Sequence, residues 1–189
     1  MRYLWLGTVL ATLVGGLPAA AQETSKVEVS ATYSFIRTRL VPSGGCCFNM
    51  HGGSSSIAVN LNRTISLVGD FGGYRANNVK SSGFGLTVIT YMFGPRFNIR
   101  SHESVNLFGQ ALFGGGHAGG SLYSSGSPFG PQNAFSMALG GGLDVKLHKH
   151  VAVRVAQAEW LFTKFANGVN NRQNNLRLSG GIVLRFGSK

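Results

Sequence analysis

The stretch Asn174 to Gly187, NNLRLSGGIVLRFG, constrains this chain more than any other. Leu176, Leu178, Gly180, Ile182, Leu184 and Phe186 take one set of alternate positions. Asn175, Arg177, Ser179, Gly181, Val183 and Arg185 take the other. Successive side chains of a β-strand point to opposite faces, so this period describes a strand with one apolar and one polar face. Strands of soluble sheets are commonly about 5–6 residues long, whereas about 9–11 tilted residues cross a bilayer. The arginines require water or counter-charges, and the opposite face requires an apolar neighbour. A strand with lipid outside and a polar lumen inside meets both needs.

Composition agrees with that reading. The 189 residues include 28 Gly, with only 12% charged and 11% aromatic, which suits strands and tight turns better than amphipathic helices. After the N-terminus no apolar run reaches the roughly 18 residues that a helical span needs. The first 21 residues form a block of their own: Arg2, an apolar run from Leu4 to Leu17, then Pro18-Ala19-Ala20-Ala21 before Gln22. This is the pattern of a secretory signal peptide cleaved after Ala21, leaving one domain over residues 22–189. The formal net charge of +11 is scattered, without a basic run or a recognition helix. With export, that excludes nucleic acid as a partner and favours anionic lipid headgroups. Cys46 and Cys47 are adjacent. In an oxidising compartment they can pair with each other or with another chain, and the simplest reading is a loop feature without a catalytic role.

The same alternation recurs along the chain. Val27 to Arg37 sets Val27, Val29, Ala31, Tyr33 and Phe35 against Glu28, Ser30, Thr32 and Ser34. Residues 38–54, with Pro42 and four glycines, read as a loop, and Ser55 to Leu61 as the next strand. A turn at Asn62-Arg63-Thr64 leads to Ile65–Tyr74, opposing Asn60 to Ser66 and Val59 to Leu67. Residues 83–100 form a long strand interrupted at Gly94-Pro95. Pairing it about Ser101-His102-Glu103 opposes Ile99 to Val105 and Phe97 to Leu107, and sends Arg96, Asn98, Asn106, Phe108, Gln110 and Leu112 inward. Residues 133–146 and 151 onward form two further strands. In the latter the polar face changes parity after Arg154, so a β-bulge near Val155-Ala156 keeps Arg154, Gln157 and Glu159 in the lumen. Asn174–Gly187 closes the set. About eight strands joined by alternating short and long connections make an all-β, antiparallel, up-and-down transmembrane β-barrel.

The inward charges are the candidate site. Centring the third turn on Lys149 sets Asp144 opposite Arg154, and closing the barrel brings Glu28 to Arg185. Asp70, Glu159 and Arg177 complete the set of lumen ion-pair candidates. Charges inside a narrow barrel must be paired or hydrated, and about eight strands leave an interior that side chains fill. Catalysis finds no support. His51, His102, His117, His148 and His150 read as loop or turn residues, and neither a Gly-x-Ser-x-Gly elbow nor a triad arrangement is present. No catalytic residue, metal ligand or cofactor is expected.

Residues 140–165, GGGLDVKLHKHVAVRVAQAEWLFTKF, and 168–187, GVNNRQNNLRLSGGIVLRFG, resemble the outer membrane protein A-like β-barrels of Gram-negative bacteria. The resemblance implies insertion into the cell outer membrane by the barrel assembly machinery and contact with outer-membrane lipid, including lipopolysaccharide. It also implies an aromatic assembly signal near the C-terminus, for which Phe186 stands. The expected function is a monomeric barrel with a structural or surface-interaction role. A small-solute or ion pore is the first alternative, and a lipid-modifying barrel enzyme the second.

Overall fold

The structure, a computed structural model, describes residues 25–39, 47–77, 79, 85–102, 104–120, 131–166 and 171–188. The expected leader, residues 1–21, and Cys46 lie outside the described residues. Cys47 is disulfide-bonded.

Eight strands run in chain order: β1 Ser25–Arg39, β2 Phe48–Asn60, β3 Ile65–Ala76, β4 Leu86–His102, β5 Val105–Gly119, β6 Gln132–His148, β7 Val151–Thr163 and β8 Gln173–Ser188. Each pairs antiparallel with its neighbours, and β8 closes on β1. Lengths of 12 to 17 residues exceed what a bilayer crossing requires, so the strands extend beyond the apolar band. One end of the barrel carries the connections 61–64, 103–104 and 149–150, and the other carries 40–47, 77–85, 120–131 and 164–172. These are called the turn end and the loop end. In barrels of this kind the loop end is external.

The alternation in sequence becomes alternation in burial. In β3 every residue switches between exposed and buried from Ile65 to Ala76. The outward positions carry large apolar side chains, with Phe93 and Leu61 each 67% exposed and Phe71 59% exposed. A band of this kind on a soluble protein would be an aggregation surface, whereas on a membrane barrel it is the lipid contact. At the first turn the Asn62 side-chain oxygen accepts from the Thr64 and Ile65 N–H groups at 2.8 and 2.7 Å, which fixes the hairpin and its Asn60–Ser66 register.

Three readings of the sequence need correction. β2 begins at Phe48, so Gly52 and Gly53 belong to a strand and not to a loop. A Cβ at Gly52 would collide with the Gly73 carbonyl, and this close approach is what the glycine permits. In the β4–β5 hairpin the pairs are Ile99 with Leu107 and Phe97 with Gly109, two residues from the expected register. The turn is tighter than expected, and an irregularity between Ile99 and His102 absorbs one residue. A slip of two preserves the parity of every side chain, so alternation could not reveal it. His51, His102, His117 and His148 lie in strands, and of the five histidines only His150 occupies a turn.

Polar and charged side chains share the interior with apolar ones, among them Ala58 and Val68 near the turn end. Buried Thr38, Thr90, Ser136, Thr163 and Asn175 lie toward the loop end. Ile36, Phe48, Met50, Val88, Leu86 and Phe165 build an apolar cluster toward the loop end. Apolar side chains thus take a larger share of the interior than the inward Phe108 and Leu112 of the sequence reading.

Candidate functional site: the charged lumen

Four carboxylates converge inside the barrel. Glu28, Asp70, Asp144 and Glu159 are all buried, from strands β1, β3, β6 and β7. They meet Arg154 and Arg177, both buried, and the less deeply covered Arg100 and Arg185.

Arg154 and Asp144 are direct cross-strand partners in the β6–β7 ladder. The guanidinium grips the carboxylate through Nε–Oδ1 at 2.8 Å and Nη2–Oδ2 at 3.1 Å, the bidentate geometry that planar forks favour. Arg154 Nη1 also donates to Gln157 Oε1 at 2.9 Å. This contact depends on the local backbone. The register shifts between Arg154 and Gln157, with Val155 and Ala156 both exposed, so the bulge keeps Arg154, Gln157 and Glu159 on the inner face.

Arg177 forms the centre of the network. Its Nε donates to Glu159 Oε2 at 2.7 Å across the β7–β8 ladder. Its Nη1 reaches across the lumen to β3, donating to Asp70 Oδ1 at 3.0 Å and to the Tyr74 hydroxyl at 2.7 Å. One guanidinium, 0% exposed, thus ties β8 to both a neighbouring strand and a distant one. Nearer the turn end, Glu28 lies 3.5 Å from Arg185 and 3.4 Å from Arg100, and accepts from Ser25 Oγ at 2.9 Å.

Arg96 is placed differently. It is 1% exposed, yet no ion pair joins it to a carboxylate among the described residues. Its Nε donates to Gln110 Oε1 at 2.8 Å, and Gln110 Nε2 donates onward to Glu159 Oε1 at 2.8 Å. Its guanidinium carbon lies 4.4 Å from the centre of the Phe108 ring, and that of Arg154 lies 4.6 Å from the same centre. Below this, amide and hydroxyl groups form a chain around the wall: Asn106 donates to Asn98, Asn98 to Ser66, and Ser66 to Asn60.

Room for these large groups comes from the glycine run of β6. A Cβ at Gly142 would lie 2.8 Å from Phe108 Cζ, and one at Gly140 would lie 2.7 Å from Glu159 Cγ. The geometry brings all seven sequence candidates, Glu28, Asp70, Asp144, Arg154, Glu159, Arg177 and Arg185, into ion-pair contacts. Sequence reasoning passed over Arg100 and Tyr74. Arg100 shares the parity of Arg96 and Asn98, which was the available signal, whereas nothing in the sequence ties Tyr74 to β8. Phe186 faces outward and is 50% exposed. Among the described residues no group of three or more His, Cys, Asp or Glu side chains could hold a metal ion.

The arrangement fits a set of known proteins. Neisserial surface protein A superposes with a TM-score of 0.63 at 16% identity, covering 86% of this chain and 98% of that one. The outer membrane protein OprG of Pseudomonas aeruginosa gives 0.58 at 9% identity, with 87% and 97% covered. Ail, the attachment invasion locus protein of Yersinia pestis, gives 0.53 at 21% identity, with 84% and 99% covered. These likenesses show the fold. No curated protein sequence matches the chain. The family described as outer membrane protein beta-barrel domain matches residues 7–181, nearly the whole chain. The chain belongs to the outer membrane protein beta-barrel family and is a protein of the Gram-negative outer membrane.

Proposed function

We propose that this protein is a monomeric outer-membrane barrel with a lumen closed by side chains, serving a structural or surface-interaction role. The observation that carries this reading is the Arg177 contact with Glu159 on one wall and Asp70 on the other. A guanidinium held at both walls leaves little free cross-section in a barrel of eight strands. The apolar cluster that includes Ile36, Met50, Val88 and Leu112 adds further side-chain volume to the interior. Paired charges inside such a barrel serve packing and strand registry, and need no substrate.

Outer-membrane lipid, including lipopolysaccharide, is the partner of the outward apolar band. The barrel assembly machinery is the partner during insertion, with Phe186 as its signal. Nucleic acid has no role in this reading, and neither does a catalytic step. The names of two proteins with this fold, a surface protein and an attachment invasion locus protein, accord with a surface role without carrying it.

The test is a liposome-swelling assay with protein extracted from outer membranes. The closed-lumen reading expects swelling in small sugars no faster than in protein-free vesicles. Rapid swelling would instead support a small-solute pore, the competing function.

A further inference from the structure

The outer wall of β1–β3 sets two outward glycines beneath two exposed arginines. The ladders stack its outward residues in rows toward the loop end: Ala31–Ser55–Phe71, then Tyr33–Gly53–Gly73, then Phe35–His51–Arg75, then Arg37–Asn49. In the second row two glycines lie side by side. A Cβ at Gly73 would meet nothing within 4 Å, and one at Gly53 would meet only the Thr32 carbonyl. These two glycines therefore leave a hollow on the lipid side. The hollow is a shallow, open, mostly apolar depression bordered by Tyr33 and Phe71.

Directly above the groove the chemistry changes. Arg37 and Arg75 are exposed, and neither has a carboxylate partner among the described residues. Their Cα atoms are two strands and two residues apart, which is about 12 Å from ordinary sheet spacings. Two extended arginine side chains can close that span on one phosphate. His51 stands between them. Its Nδ1 is 2.6 Å from the Tyr33 hydroxyl, and its ring meets Phe35 edge-on with centroids 5.3 Å apart. At the level of Arg75 the next two strands present Thr87 and Gly119, so the basic character does not continue in that direction.

We infer that the outward face of β1–β3 is a binding site for one phosphorylated, acylated lipid of the outer leaflet. Arg37 and Arg75 hold its phosphate, and an acyl chain lies in the groove over Gly53 and Gly73. A cationic rim above an apolar hollow matches that amphiphile and suits neither a free anion nor a neutral lipid. The inference rests on the outer-membrane reading of the chain and adds a place and a chemistry to its lipid contact.

The experiment titrates the detergent-solubilised barrel with a phosphorylated acyl-glucosamine lipid, its dephosphorylated counterpart, and inorganic phosphate. The phosphorylated lipid is expected to bind at least about tenfold more tightly than the dephosphorylated one, with no competition from inorganic phosphate at equal concentration. The double variant R37Q/R75Q is expected to lose at least about tenfold in affinity. The double variant G53L/G73L, which fills the hollow and keeps both arginines, is expected to lose a similar factor. Equal binding of the two lipids, inorganic phosphate binding as tightly as the lipid, or unchanged affinity in either variant would overturn the inference. Heat-modifiable gel migration reports separately on the barrel. An intact barrel with no lipid preference sinks this inference and leaves the closed-lumen reading standing.

Discussion

Arg177 on β8 donates to Asp70 on β3 at 3.0 Å, joining residues 107 positions apart across the middle of the lumen. The same guanidinium holds Glu159 on β7, so removing it leaves two buried carboxylates without their cation. R177M should lower unfolding free energy by about 3–5 kcal/mol, the usual cost of breaking a buried pair from one side. Urea titration in lipid vesicles measures it. Adding D70N and E159Q to the same chain should recover part of the loss, because neutral amides need no counter-charge.

Arg96 predicts the opposite outcome from the same chemistry. It is buried, lacks a carboxylate among the described residues, and shares the Phe108 ring with a like charge on Arg154. R96M should therefore change stability by less than about 1 kcal/mol or raise it, since apolar replacements of buried charges are often neutral or favourable. R154M, which leaves Asp144 unpaired, should cost about 3–5 kcal/mol in the same titration. Equal losses in the two variants would contradict the assignment of Arg96 as unpaired.

A Cβ at Gly142 would lie 2.6 Å from the Ala156 carbonyl oxygen and 2.8 Å from Phe108 Cζ, so the glycine admits both a close strand and a large ring. G142V should cost about 1–3 kcal/mol through overpacking. The double variant G142V/F108L should cost less than the sum of the single changes, because the smaller side chain vacates the disputed space. Additive losses would show that the two sites do not compete.

Val155 is the extra residue in β7, lying between Arg154 and the pairs made by Ala156 and Gln157. Its deletion leaves Arg154 opposite Asp144 and Gln157 opposite Gly142, so the barrel should still form and show heat-modifiable migration. Deleting Ala31 from β1, whose ladders run without a register shift, should abolish that migration by turning half of the strand inside out. Failure of both deletions would mean that the bulge does more than restore parity.

These residues also show how far the sequence could be read. Parity of alternate positions told which side chains face inward, and counting residues about the 147–150 turn set Asp144 against Arg154, as the ladder has them. The same count about 101–103 missed by two, because β4 holds an extra residue just before its turn. Partners across the lumen are different: Arg177 meets Asp70 and Tyr74 because of barrel closure and strand tilt, which no local pattern encodes. The apolar cluster toward the loop end was hidden because Ile36, Met50 and Val88 lie near the strand ends, where alternation fades into loop composition. The strand glycines 52 and 53 read as a loop because the usual meaning of Gly-Gly is a turn. Here one permits close backbone approach and the other opens a hollow.

The central claim is that the lumen is closed. Planar-bilayer recording of the purified barrel tests it most directly. The account predicts a flat baseline, without sustained unitary steps, across applied voltages of either sign. Stable stepwise conductance from the unmodified protein would contradict it, because an ion path cannot coexist with an Arg177 side chain held at both walls.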